Sequence, residues 1–187
     1  MLAVYIIIAV VAVLVIALIA TYNVLVRHRN RCRNAWSHID VQLKRRYDLI
    51  PNLVETVRGY MKHERQTLEA VTKARNVAQQ ASSSRAGERS RVEGELNSAL
   101  ARLLVVVERY PDLKASQNFL ALQEELTSTE NRIGFSRQFY NDSVLQYNNQ
   151  TQMFPSNVLA SLTGFKPEEF FQVTAPEEKQ APKVSFT

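Results

Sequence analysis

The chain has 187 residues, a formal net charge of +5 and 45% hydrophobic residues. This length suits one membrane-spanning helix and one folded domain, and it is too short for two independent domains after a span. The single cysteine, Cys32, excludes an intrachain disulfide and so fits a reducing compartment.

The first 26 residues contain no charged side chain. As a helix they would extend about 39 Å, against about 30 Å for the hydrocarbon core of a bilayer. A cleaved signal peptide would have a basic start, a shorter apolar core and a small-residue cleavage site, and none of these occurs here. Residues 1–26 are therefore predicted to be an uncleaved transmembrane helix.

A basic segment follows directly. Arginines that flank a span stay on the cytoplasmic side, which predicts an outside N-terminus and a cytoplasmic domain. Residues 27–90 hold 14 Lys or Arg against 6 Asp or Glu, and this excess beside the span suits anionic lipid headgroups. No basic stripe with interleaved aromatic residues occurs farther along, so nucleic acid is not an expected partner. The predicted basic belt at the membrane interface consists of Arg27, Arg29, Arg31 and Arg33.

Beyond the span, apolar residues recur at steps of three and four, which predicts helices that each bury one stripe. No comparable run alternates with period two. The prediction is an all-α fold in which the transmembrane helix continues into an elongated antiparallel bundle over residues 27–173. The stripes include Cys32, Trp36, Ile39 and Leu43, then Leu53 and Val57, then Leu96, Leu103 and Val107, and finally Phe119, Ile133, Tyr140, Val144 and Tyr147.

Breaks in these stripes are few. Pro51, with Asn52 and Glu55 at the spacing of a capping box, predicts either a new helix or a kink in a longer one. The small polar residues 81–87 predict a loop, and Pro111 predicts a bend or short turn. Residues 174–187 are predicted to be a flexible tail.

No pattern of catalytic or metal-binding residues is present. His28 and Cys32 share a helix face, but a zinc site needs at least three protein ligands. Ser37, His38 and Asp40 point in different directions on one helix and cannot form a relay. Glycine-rich phosphate loops and metal-binding motifs are also missing, so no enzyme activity, metal or cofactor is expected.

Two clusters near the end of the chain have open interpretations. The first is either an internally hydrogen-bonded helix face or a surface for self-association or a partner. The second either caps the bundle or forms an amphipathic foot in the membrane interface. Within it, Pro167 followed by Glu168 and Glu169 predicts a helix start. The first cluster is Tyr140, Asn141, Tyr147, Asn148 and Asn149, and the second is Phe165, Phe170 and Phe171.

Several segments resemble the LemA family of bacterial membrane proteins. They include AWSHIDVQLKRRYDLIPNLV within residues 22–75, VVVERYPDLKASQNFLALQEELTSTENRI at residues 105–133, YNDSVLQYNN at residues 140–149, and FPSNVLASLTGF with EEFF. The resemblance implies an N-terminal anchor with its N-terminus outside, an elongated cytoplasmic helical domain, location in the bacterial inner membrane, and kinship with the magnetosome protein MamQ. It implies no established enzymatic activity and provides no site residues.

Two functional hypotheses remain. In the first, the chain is a non-catalytic, membrane-anchored scaffold that forms homo-oligomers and organises the membrane or other membrane proteins, because its heptad-like stripes leave apolar area for a neighbour. In the second, it is a membrane-tethered receptor or adaptor that binds a soluble partner through the hairpin around residues 82–87.

Overall fold

The structure, a computed structural model, describes residues 1–61 and 63–172. In this part of the chain every regular element is helical, which confirms the all-α prediction. The predicted tail, residues 174–187, lies outside the described residues. The elements are α1 (Leu2–Arg58), α2 (Arg65–Gln80), a short 3-10 helix (Ala81–Ser83), α3 (Ala86–Val107), α4 (Pro111–Lys114), α5 (Gln117–Gln152) and α6 (Ser156–Thr163).

Helix α1 contains a candidate membrane span by length and composition. Its side chains are exposed in the structure from residue 1 to residue 20, although almost all of them are apolar. The first fully buried side chain is Leu25. Protein packing along α1 therefore begins about where the apolar run ends.

Pro51 lies inside α1, so the possibility that a new helix starts there is wrong. A proline within a helix removes one backbone hydrogen bond, and here the carbonyl that loses its donor belongs to Tyr47. The Nε of Arg75 on α2 donates a hydrogen bond to this carbonyl at 3.0 Å. The helix can continue because a side chain from α2 replaces the missing backbone donor.

The predicted loop at residues 81–87 is shorter than expected, because the 3-10 helix fills its start and α3 begins at Ala86. Pro111 occupies the first turn of the short helix α4, as a proline at a bend should. Pro167, by contrast, does not start a helix, and residues 165–172 have no regular secondary structure. Side chains of α5 form hydrogen bonds with the backbone of this segment instead.

The chain divides into two compact units. The first unit comprises residues 1–39 and 135–170, and the described residues of the second are 40–61, 63–134 and 171–172. Most of the predicted stripes form their cores, although Trp36 is only half-buried. Buried side chains of the first unit include Leu25, Cys32, Ile39, Tyr140, Val144, Tyr147 and Ala160; those of the second include Leu43, Ile50, Leu53, Val57, Leu68, Val71, Leu96, Leu103, Val107, Phe119 and Ile133.

Candidate functional site

In the first unit, three polar side chains of α5 hold the segment that follows α6. The hydroxyl of Tyr147 donates to the carbonyl of Lys166 at 2.9 Å, and the hydroxyl of Tyr140 donates to that of Glu169 at 2.9 Å. Asn148 binds the backbone of Glu168 twice, donating to its carbonyl at 3.0 Å and accepting from its N–H at 2.9 Å. These bonds satisfy backbone groups that a helix would otherwise pair internally.

The contacts of the first cluster bear on its two interpretations. Tyr140, Tyr147 and Asn148 are buried, and their polar atoms bind the chain itself. For these three residues the contacts favour the internally hydrogen-bonded face, and the self-association or partner surface stays a prediction. Asn141 is half-buried and Asn149 is exposed.

Phe165 joins the end of α6 to α1. Its ring lies 5.8 Å from that of Tyr22 in an edge-to-face arrangement, and the guanidinium of Arg29 lies 4.7 Å from its centroid. Both geometries are favourable for aromatic rings. Phe165 and Phe171 are buried and face protein, as the capping alternative expects, whereas Phe170 is 39% exposed. The interfacial foot formed by these three residues stays a prediction.

Two of the four predicted basic-belt residues are engaged within the protein. Arg29 stacks on Phe165, while Arg31 lies 5.6 Å over the ring of Phe139 and donates to Gln146 at 3.1 Å. Arg27 and Arg33 are exposed. A lipid-binding role for the belt remains a proposal, and Arg27 and Arg33 have the more accessible charges.

Cys32, Tyr140 and Tyr147 are held in their neutral forms. Burial, together with the negative charge of Glu168, raises the pKa of the Cys32 thiol to about 11. Burial, followed by the charge of Glu168, also raises the pKa values of Tyr140 and Tyr147. Because the thiolate is the reactive form of cysteine, Cys32 is a poor nucleophile near neutral pH.

The second unit buries a charged network that was not predicted. The guanidinium of Arg46 on α1 pairs with Glu93 on α3, and it donates to Asn97 at 2.6 Å and to Glu130 at 2.8 Å. The hydroxyl of Tyr47 donates to the other carboxylate oxygen of Glu93. Arg46 and Glu93 are almost completely enclosed by protein, so a substrate could not reach them.

A second buried arginine, Arg89, secures the start of α3. It pairs with Asp40 on α1 and donates to the carbonyl of Ser82 at 3.1 Å. The sequence does contain a signal for both arginines: Arg46 stands three residues after Leu43, and Arg89 stands seven before Leu96, so each falls on an apolar stripe. A charged residue at a stripe position indicates a buried partner, and Glu93 is that partner for Arg46.

A groove of about 780 Å³ runs beside α2 in the second unit. Met61, Leu68 and Val77 contribute apolar surface, and the basic residues Arg58, Arg65 and Lys73 also line the groove. One acidic residue, Glu69, lines it as well and pairs with Arg65 at 2.6 Å. Among the described residues, no group of three or more His, Cys, Asp or Glu could hold a metal ion. The groove therefore offers contact surface and positive charge, without a constellation of catalytic groups.

Comparison with known proteins decides the family. The model of the LemA family matches residues 35–186, which is most of the chain. The chain belongs to the LemA family. The match covers both units but leaves out the apolar start of α1.

Individual relatives agree with LemA membership. Protein LemA of Metamycoplasma hominis is 29% identical over 157 residues, covering 83% of this chain and 70% of that protein. Magnetosome protein MamQ 2 of Paramagnetospirillum magneticum is 38% identical over 80 residues, and MamQ of Magnetospirillum gryphiswaldense is 34% identical over 79. The matched part spans about 29% of the length of either MamQ protein and 43% or 42% of this chain. None of these names states an enzymatic activity.

Proposed function

We propose that this LemA-family chain is a non-catalytic scaffold anchored in the bacterial inner membrane by the apolar part of α1. One observation carries the proposal: the side chains of residues 1–20 are exposed in the folded protein. Such a length of apolar helix is stable when lipid surrounds it. The arginines after it support an outside N-terminus and a cytoplasmic domain.

Self-association is the proposed means by which the scaffold works. Phe135 on α5 is 73% exposed, and Phe139, one turn farther along, is 41% exposed. Residues four apart lie on the same helix face, so the two rings present a small apolar surface. Anchoring confines copies to one plane and raises their effective concentration, which lets a small apolar surface promote association. The proposed partner at this surface is a second copy of the chain.

The test replaces Phe135 and follows the oligomeric state of the full chain in detergent across a range of protein concentrations. Phe135→Ser should weaken association, because burying one phenylalanine contributes about 1.5–3 kcal/mol. Gln123→Ser is the matched control, since Gln123 is an exposed polar residue more than three turns earlier on the same helix. A parent chain that stays monomeric at every concentration would contradict the proposal, as would an unchanged Phe135→Ser variant.

The groove beside α2 supports a second candidate, an adaptor that binds a soluble partner. Its apolar floor and basic edges would suit an acidic, amphipathic helix. Val77→Glu should abolish binding of any such partner, whereas Gln66→Glu, an exposed change on α2 outside the groove, should preserve it. Equal recovery of partners by the two variants would exclude the adaptor function at this groove.

A further inference from the structure

Helix α6 and the two residues before its N-cap expose an apolar surface. Met153 is 60% exposed, Phe154 81%, Val158 52% and Leu162 79%. Val158 and Leu162 are one turn apart, so they share a face of α6, while Ser156 and Ala160 are buried on another. One face of α6 is thus packed on its own unit, and another face is apolar and exposed.

The surroundings of α6 in the chain are free of charge. No Asp, Glu, Lys or Arg occurs between Asp142 and Lys166. A charged side chain is costly to move into the apolar part of a bilayer, whereas Ser, Thr and Asn suit its polar boundary. A stretch of this composition in an otherwise charged domain indicates contact with lipid more than with water.

The end of α6 lies beside the end of the candidate span. The N–H of Phe165 donates to the carbonyl of Ala160 at 3.0 Å, and Gly164 makes the left-handed turn, φ 75°, that ends the helix. The ring of Phe165 then packs on Tyr22, two residues beyond the exposed apolar run of α1. Leu25 is already fully buried. This contact places the C-terminal end of α6 at the level where α1 leaves the proposed membrane.

We propose that α6, together with Met153 and Phe154, inserts its apolar face into the headgroup boundary of the membrane that α1 spans. The inference rests on the proposed anchoring by α1. Phe165, which belonged to the predicted foot, has a different role here: it fixes α6 to α1 and lets Phe154, Val158 and Leu162 meet the lipid. The chain would then hold the membrane by a span and by an interfacial helix beside it.

The test places a fluorophore at single positions of the full chain, reconstituted in phosphatidylcholine and phosphatidylglycerol vesicles. In a Cys32→Ala background, Leu162→Cys labels α6 and Val15→Cys labels the span. Val105→Cys is the matched control, since Val105 is an exposed apolar residue of α3 in the second unit. Lipids carrying a nitroxide near the headgroup report proximity to the membrane, and iodide reports exposure to water.

We expect lipid nitroxide to quench the label at position 162 several-fold more than the label at position 105, and iodide to show the opposite order. If the label at 15 is quenched by lipid but the label at 162 behaves like that at 105, α1 is anchored and the α6 proposal is overturned. Protection of position 162 from both quenchers means that protein covers it, for example a second copy, and also overturns the proposal. Loss of lipid quenching at position 15 would overturn the anchoring itself.

Discussion

The two units bury polar side chains of different kinds. The first unit buries neutral groups, the hydroxyls of Tyr140 and Tyr147 and the amide of Asn148, and each binds a backbone group of the segment after α6. The second unit buries charges, with Arg46 and Arg89 paired to carboxylates. These buried side chains of the first unit are thus held by neutral hydrogen bonds, whereas Arg46 and Arg89 of the second are held by ion pairs.

This difference predicts how each unit fails. A buried charge that loses its partner is far more costly than a neutral donor that loses an acceptor. The second unit should therefore be sensitive to neutralising one carboxylate, whereas losing one neutral group in the first should release a local segment. Trp36, the only tryptophan, lies in the first unit with its ring 5.0 Å from that of Tyr140, so its fluorescence reports on that unit.

The largest effect is expected for Glu93→Gln. The substitution keeps the side-chain volume but leaves Arg46 buried without its enclosed carboxylate, which should cost about 3–5 kcal/mol. Amide hydrogen exchange along α3 measures this loss as reduced protection. Glu130→Gln is the control, because Glu130 binds the same guanidinium from a side chain that is 44% exposed. Equal losses for the two variants would contradict a special role for the buried pair.

A smaller effect is expected in the first unit for Asn148→Ala. The change removes two hydrogen bonds to the backbone of Glu168 and leaves that backbone unpaired, a cost of about 1–3 kcal/mol. Residues 165–170 should become accessible to protease while hydrogen exchange in α3 is unchanged. Asn149→Ala, an exposed neighbour, should have no effect. If Asn148→Ala also opens α3, the two units do not fail separately.

A third substitution, Arg75→Ala, tests how α1 accommodates its proline, and it should lower the free energy of unfolding by about 1 kcal/mol. Arg75→Ala removes the donor to the Tyr47 carbonyl, a net hydrogen-bond contribution of about that size. In a Pro51→Ala background the helix supplies its own donor, so the same substitution should cost less. A double-mutant cycle followed by urea unfolding gives the coupling. Additive losses would show that Arg75 does not compensate for the proline.

Cys32 should make the stability of the first unit depend on high pH. Its free energy of unfolding should fall by about 1 kcal/mol at pH 10. Its folded pKa of about 11 lies above the ordinary value of 9.0, so the folded state holds the proton more tightly. The contribution is fully present below pH 9 and is lost as the pH rises through 11. Urea unfolding followed by Trp36 should show this loss, and Cys32→Ala should reduce it. An identical alkaline slope in the variant would assign the effect to the tyrosines.

The sequence predicted the helices that show a regular spacing of apolar residues. The stripes of α1, α3 and α5 place buried residues correctly because helix geometry fixes which side chains share a face. Pro51 could not be resolved from sequence, since whether a proline ends a helix depends on a donor from elsewhere, here Arg75. The helix start predicted at Pro167 is wrong for a related reason. Tyr140, Tyr147 and Asn148, which are distant in sequence, form hydrogen bonds with the backbone there, and these replace the bonds of a helix.

The candidate sites were harder to predict than the helices. Tyr140 and Asn148 were recognised as a polar cluster, but their acceptors are backbone carbonyls, which a sequence pattern does not reveal. Arg46 was passed over among neighbouring basic residues, although its place on an apolar stripe indicated burial. The exposed surface of α6 depends on which face packs inward, and that follows from tertiary contacts such as the burial of Ser156 and Ala160, which a sequence pattern does not reveal.

Anchoring by α1 is tested most directly by the accessibility of single cysteines in a bacterial host. In a Cys32→Ala background, Leu2→Cys and Val105→Cys variants are treated with a membrane-impermeant maleimide, first as intact spheroplasts and then after lysis. The predicted result is labelling at position 2 in intact spheroplasts and at position 105 only after lysis, with both variants retained in membranes after an alkaline wash. Labelling at position 105 in intact spheroplasts, or release of the chain by the wash, would contradict the account.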